Sequence, residues 1–198
     1  MPQYFDNVEG LAHENITYSY KLFGEEYTLK SDAGVFSKDG LDDGSRLLLE
    51  TIAKTDLGVE ILDLGCGVGP IGLTLAKLDP RRQVTLADVN LRALECCKAN
   101  AEALGVGERV RILQSDVYSN ITTSFSTIVT NPPIRAGKKV VYHFFQLAYD
   151  RLQPGGVLYV VIQKKQGADS AFKELVRVFG NCETIGRQAG YHILRSER

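Results

Sequence analysis

No apolar run in this chain approaches the roughly eighteen residues needed to cross a bilayer, so a helical membrane anchor is not expected. Its start, Met1-Pro2-Gln3-Tyr4-Phe5-Asp6, lacks a basic stretch followed by an apolar one, so no secretory signal is expected either. Cysteine is scarce and unpatterned. Cys66, Cys96, Cys97 and Cys182 show no CxxC spacing, and Cys96 and Cys97 are too close in a helical pattern to form a staple. Reduced, mostly buried thiols in a cytoplasmic protein follow from that. The three histidines, His13, His143 and His192, stand singly, which argues against a metal site. Excess charge is also missing: the net is −1, too little for a protein that coats nucleic acid by bulk attraction.

What is present is ordered along the chain. Residues 1–60 hold 12 acids and 5 bases, residues 61–130 hold 7 of each, and residues 131–198 hold 5 acids and 11 bases. All of the positive excess therefore lies from Asn131 onward. Apolar content of 44% and charged content of 24% are ordinary for a globular chain, and the length suits one domain with a small appendage.

Residues 1–42 read as an N-terminal extension with a hairpin, Tyr18 to Phe23 and Glu26 to Leu29 around Gly24. Asp42 or Asp43 is placed to cap a helix burying Leu47, Leu48, Leu49 and Ile52. From residue 59 strands and helices alternate. Strands are expected at 59–64, 83–87, 110–113, 127–130 and 157–162, and helices at 71–78, 91–104 and 170–179. A further helix through Val141, Phe144, Phe145, Ala148 and Leu152 is expected to end at Pro154-Gly155-Gly156. Two last strands flank Ala189-Gly190 and must pair antiparallel. The alternation calls for an α/β fold, a parallel sheet with helices on both faces, whose ligands bind beyond the strands' carboxyl ends. Asp63, Asp88, Asp116 and Asn131 then share one rim.

Two motifs sit on that rim. Asp63-Leu64-Gly65-Cys66-Gly67-Val68-Gly69-Pro70 follows the first of these strands and leads into a helix, so its backbone can approach a ligand closely. Gly67, Gly69 and Gly72 also match GxGxxG, and Asp88 lies 21 residues after Gly67, so this loop alone suits either a nicotinamide dinucleotide or S-adenosylmethionine. Asp63 tips the balance, because its charge would repel a pyrophosphate and attract an ammonium or sulfonium. Asp88, with Val89 and Asn90 behind it, suits two ribose hydroxyls, and Asp116 with Val117 suits an adenine ring. The second motif, Asn131-Pro132-Pro133-Ile134, closes an apolar strand with a stiff corner. Such a corner can hold the Asn131 amide oxygen and the Pro132 carbonyl in fixed directions to accept from a flat amino group. That chemistry points to methyl transfer onto nitrogen. Arg135, Lys138, Lys139, Lys164 and Lys165 should fall on the same rim and contact RNA phosphates. His143 falls between core positions of its helix and is read as structural.

These residues resemble the class I S-adenosylmethionine-dependent methyltransferases, and within them the 16S rRNA guanine-N2 methyltransferases and their single-domain relatives. The resemblance is carried by Gly34 to Ser45, by the Asp63–Gly69 loop, and by Asn131 to Lys138. It implies a Rossmann-like seven-stranded methyltransferase sheet, mostly parallel with an antiparallel last strand, formed by residues 43–198. It implies S-adenosylmethionine at Asp63, Gly65, Cys66, Gly67, Gly69, Asp88, Val89, Asn90, Asp116 and Val117, with Gly44 and Ser45 near the methionine end. It implies catalysis at Asn131, Pro132, Pro133 and Ile134 on an exocyclic amine, guanine N2 of ribosomal RNA or the small subunit first, a protein glutamine amide or small molecule second. The chain departs from the pattern at Ile134, where the family usually has an aromatic residue, and in having only about forty residues before the catalytic domain.

Overall fold

The computed structural model describes residues 12–35 and 40–198. Met1 to Asp6, and the stretch 36–39 within the Gly34–Ser45 block, lie outside the described residues.

The first element is a separate two-stranded antiparallel sheet, β1 (Ile16–Leu22) and β2 (Glu25–Ser31). Phe23 and Gly24 both have positive φ, 54° and 81°, the backbone of a tight two-residue hairpin turn. Both strands alternate buried and exposed residues, so the hairpin has one apolar face: Tyr18, Tyr20, Leu22, Tyr27 and Leu29. The Tyr20 and Tyr27 rings stack at 5.1 Å. This face joins the same core cluster as the helices that follow.

The hairpin is held by buried Asn100. Its Nδ2 donates to the Lys30 carbonyl (2.9 Å) and the Val68 carbonyl (3.0 Å), and its Oδ1 accepts the Lys30 N–H (2.7 Å). One side chain thus ties β2, the glycine loop and a helix together. Asn100→Leu would leave these backbone groups without partners, and we expect a loss of roughly 2–3 kcal/mol, read from the denaturant midpoint.

The main sheet has seven strands: β3 (Glu60–Leu64), β4 (Gln83–Asp88), β5 (Val110–Gln114), β6 (Phe125–Thr130), β7 (Leu152–Gln163), β8 (Glu183–Gln188) and β9 (Tyr191–Glu197). Their order is β5-β4-β3-β6-β7-β9-β8. All pairs are parallel except those made by β9, which runs antiparallel to both β7 and β8. The expected sheet, with its antiparallel last strand, is therefore the one observed. Helices α1 (Asp43–Ile52), α2 (Pro70–Leu78) and α3 (Leu91–Ala103) share one core with the hairpin, and α4 (Lys138–Arg151) and α5 (Ala168–Phe179) share the other. Successive residues of β3 divide between them, Ile61 on one side, Leu62 and Leu64 on the other. A parallel strand buried on both faces has to read as a continuous apolar run.

Helix α1 begins where Asp42 caps it, accepting from the Ser45 N–H at 3.0 Å. Leu48, Leu49 and Ile52 are fully buried beneath it, each contributing about 1.5–3 kcal/mol of transfer free energy. One boundary differs from expectation. Helix α4 stops at Arg151, and Pro154-Gly155-Gly156 lies within β7 instead of in a helix-ending turn. The β6 register slips there between Phe125 and Thr127, which lets a proline enter the ladder. Gly155 and Gly156 meanwhile exchange hydrogen bonds with Arg198, at 2.9 Å each.

A candidate active site at the switch point of the sheet

Chain order reverses between β3 and β6, and the crevice of such a sheet opens there. Register puts Asp63 opposite Val129, and the Thr130 hydroxyl donates to the Leu64 carbonyl at 2.7 Å. The glycine loop and the Asn131-Pro132-Pro133 corner therefore leave adjacent strands at the same height. Two cavities adjoin along this rim. One, of about 180 Å³, is lined by Asp42, Ser45, Gly65–Val68, Asp88 and Asn131–Arg135, with Gln166 and Tyr191 across from them. The other, of about 240 Å³, is lined by Gly65, Asp88, Val89, Asp116, Val117, Pro133 and Phe144 among others. They share Gly65, Asp88 and Pro133.

Asn131 is fixed by two contacts. Its Nδ2 donates to Asp42 Oδ1 (3.2 Å) and to Ser45 Oγ (3.1 Å). A carboxylate can only accept, so the amide is oriented with its nitrogen toward Asp42 and its oxygen left over as an acceptor. Asp42 thus serves both the α1 cap and the Asn131 rotamer. The adjoining Pro132 carbonyl takes the Ile134 N–H at 2.9 Å, so it is not wholly free as the sequence suggested; one lone pair remains. Ile134 opens a single helical turn, Ile134–Ala136, and its side chain packs on the α4–α5 core.

The glycine loop is arranged around two carboxylates. Asp88 accepts the Gly67 N–H (2.8 Å) and the Asn90 N–H (2.9 Å), and burial holds its carboxyl above the usual range. Gly67 has φ +56°, and a Cβ there would meet nothing within 4 Å, so the loop leaves open space on its cavity side. Asp63 does not sit at the loop's mouth. It is fully buried beneath it, Oδ2 accepting the Gly72 N–H at 2.8 Å, while Oδ1 has no partner among the described residues. Burial pushes its carboxyl up to about 7, with Asp88 adding to the rise.

Three other expected ligand residues serve the scaffold instead of lining either cavity. A Cβ on Gly69 would strike Leu73 at 2.7 Å and Cys97 at 2.8 Å. Asn90 caps α3, its side chain accepting the Ala93 N–H at 3.1 Å and donating to the Gly34 carbonyl. Gly44 gives room to Tyr191, whose Cε1 would lie 2.7 Å from a Cβ there. Cys66 does line the cavity, and burial raises its thiol well above the ordinary range, so it is an inert wall. Val117 has φ +50°, a strained backbone for a β-branched residue, at the point where it faces the larger cavity beside exposed Asp116.

Of the basic residues, Arg135 lines the smaller cavity and Lys138 a neighbouring one, while Lys139, Lys164 and Lys165 are exposed. His143 faces outward on α4, not into its core. Gln166 and Tyr191 reach the site from elements that carry no recognisable motif, and Asp42 from the Gly34–Ser45 block. Asp42 alone of these was signalled in the sequence, by its place in that block and by its capping pattern.

The cleft is acidic where a cofactor would lie: Asp42, Asp88 and Asp116 line it, and Asp63 Oδ1 lies below with no partner among the described residues. Those residues suit a ligand with an ammonium, a sulfonium and a ribose, and would repel the pyrophosphate of a nicotinamide dinucleotide.

Residues 26–195 match the methyltransferase small domain family. The chain is 42% identical over 197 residues to YbxB of Bacillus subtilis (strain 168), an uncharacterized protein, covering 98% of each. It is 32% identical over 189 residues to ribosomal RNA small subunit methyltransferase C of Vibrio parahaemolyticus, covering 92% of this chain and 52% of that one. Among solved structures it resembles the T. thermophilus 16S rRNA N2 G1207 methyltransferase (RsmC), determined with AdoMet and guanosine, at TM-score 0.82 and 32% identity, over 92% of this chain and 50% of that one. The chain spans about half the length of these two ribosomal RNA methyltransferases. With a matching family over most of its length, and a switch-point cleft whose donors suit the cofactor, the chain belongs to the methyltransferase small domain family and is an S-adenosylmethionine-dependent methyltransferase.

Proposed function

We propose that this enzyme methylates an exocyclic amino group of ribosomal RNA, with guanine N2 of 16S RNA as the favoured acceptor. The observation that carries the reading is the Asn131 clamp: both amide hydrogens are engaged by Asp42 and Ser45, leaving Oδ1 to accept beside the Pro132 carbonyl. Support comes also from the ribosomal RNA methyltransferases it resembles and from the basic residues that follow the motif.

The cofactor supplies an electrophilic methyl group on a sulfonium. Gly65, Gly67 and Asp88, with Asp63 below them, would hold its methionine and ribose parts, and Asp116 and Val117 its adenine. An exocyclic amine is a poor nucleophile because its lone pair is spread into the ring. Asn131 Oδ1 and the Pro132 carbonyl each accept one N–H, which localises the lone pair and aims it. Positioning of this kind is worth up to roughly 7–11 kcal/mol. Each acceptor aimed at the developing positive nitrogen adds about 3–4 kcal/mol. The surplus proton leaves to water after the N–C bond has formed.

Asp63 makes cofactor affinity pH-dependent. Its folded carboxyl titrates near 7, above its ordinary value of 3.8, so the fold favours the neutral form. Its contribution to stability is therefore full below pH 3.8 and is lost as pH rises toward 7. A cation bound in the cleft above the loop favours the charged form through space and draws a proton off Asp63. We expect affinity for S-adenosylmethionine to rise with pH up to about 7 and level off above it. In Asp63→Asn the part of this rise nearest pH 7 should be lost, leaving what Asp88 contributes; titration calorimetry in buffers of different ionisation enthalpy measures both.

The acceptor is tested by tritiated methyl transfer to small subunits, large subunits, naked ribosomal RNA and a protein extract. Label in small-subunit RNA, recovered as N2-methylguanosine after nuclease digestion, is the expected result. Label in protein or in small molecules alone would overturn the reading, and label in large-subunit RNA would move the target to that particle.

A further inference from the structure

Beside the acceptor cavity lies a third one of about 130 Å³, between the start of α4 and the start of α5. Ile134 and Gln166 line both, so the two spaces adjoin at these residues. Its floor is apolar, formed by buried Val141, Ile162 and Ala171. Tyr142 forms one wall, and its hydroxyl donates to the Ser170 carbonyl at 3.2 Å, which fixes the ring between the two helices. Lys138 Nζ lies 5.0 Å from the centre of that ring. Lys138 lines this cavity and Arg135 the adjoining one, and both are exposed; exposed Lys164 and Lys165 immediately precede Gln166 in the chain, and exposed Asp169 precedes Ser170.

We infer that this cavity holds the base of the nucleotide next to the target in the RNA strand; the inference rests on the reading that RNA is the acceptor. An apolar floor with one aromatic wall suits a flat heterocycle, and unpaired bases are held by stacking on such side chains. Lys138 on this cavity and Arg135 on the adjoining one suit the phosphodiester that must accompany that base, and they contact it without reading sequence. The shared walls argue for adjacency: a base entering here is covalently continuous with one presented to Asn131. Ile134 then gains a role that its aliphatic side chain fits. It stands as a wedge between two unstacked bases, as apolar side chains do where proteins part a base step. Gln166, with both donor and acceptor groups on the same partition, faces base edges on either side.

The test uses the full chain with S-adenosylhomocysteine bound and short fluorescent oligoribonucleotides containing one guanosine. The base is removed from the nucleotide on its 5′ side or on its 3′ side. We expect one of the two abasic oligomers, and not the other, to bind about tenfold more weakly than the intact one, the scale of a lost base–aromatic stack. In Ser170→Trp, which fills the cavity from an exposed position while leaving the Ser170 carbonyl in place, that difference should disappear. Tyr142→Leu should reduce it as well, and gives a second reading should the tryptophan variant fold poorly. Equal weakening from both sides, or none from either, overturns the inference while leaving the RNA reading intact. Failure of the intact guanosine oligomer, of naked ribosomal RNA and of ribosomal subunits to bind overturns the RNA reading, and the inference falls with it.

Discussion

Asn131→Ala is expected to lower kcat by about 10²–10³-fold, the loss seen when one preorganised polar group is taken from a reacting centre. Affinity for S-adenosylmethionine should change by roughly twofold or less, because the glycine loop and Asp88 make their contacts independently of Asn131. The reason for so large an effect is geometric. The amide is held by the N-cap of α1 and by Ser45 in its first turn, so its oxygen is already in place before the acceptor arrives. Removing the Ser45 hydroxyl takes one of those partners away and leaves the Asp42 contact. Ser45→Ala should therefore cost less, about tenfold in kcat, as expected for one neutral hydrogen bond. Steady-state kinetics on ribosomal RNA and calorimetry with the cofactor separate the two effects. Near-normal turnover by the alanine variant would remove Asn131 from the mechanism.

Replacing Lys139, Lys164 and Lys165 together with glutamine is expected to weaken RNA binding about a hundredfold at 0.1 M salt and to make the salt dependence shallower by roughly two in log–log slope. All three are exposed and line none of the cavities described above, so their loss should leave kcat at saturating RNA, and cofactor affinity, near the parent values. The whole chain carries a net charge of −1, so any strong salt dependence has to come from a local cluster and not from bulk charge. A filter-binding series across salt concentrations reads the slope. An unchanged slope would place the RNA on a different face.

The fold was legible because its determinants are local. Gly105, Asn90 and Asp42 end or cap helices by chemistry confined to a few neighbours. Apolar runs such as Ile128-Val129 and Leu158 to Ile162 are what strands buried on both faces require. Pro154 misled for a related reason. A proline usually stops a helix, but here α4 stops earlier, and a shift of β-sheet register, set by a partner far away in sequence, admits it to β7.

Within the site, legibility divided along the same line. Asn131, Gly65, Gly67 and Asp88 line the cleft as their motifs imply, because each sits at a strand end and strand ends of a parallel sheet converge. Asp63, Gly69 and Asn90 belong to the same motifs, yet they hold the loop and helices from below. A motif records which residues a loop needs without recording which of them touch the ligand. Spacing gave no hint of Tyr191, Gln166 or the partition made by Ile134. The sequence by itself determined the alternation of strands and helices, the family, and the two rim motifs, since periodicity, caps and turns depend on neighbours along the chain. Only the tertiary structure decided which way the Asn131 amide faces, where Asp63 lies, and which side chains from α1, β9 and the turn after β7 close the cleft. Those depend on contacts between residues tens of positions apart, and such contacts exist only once the sheet has formed.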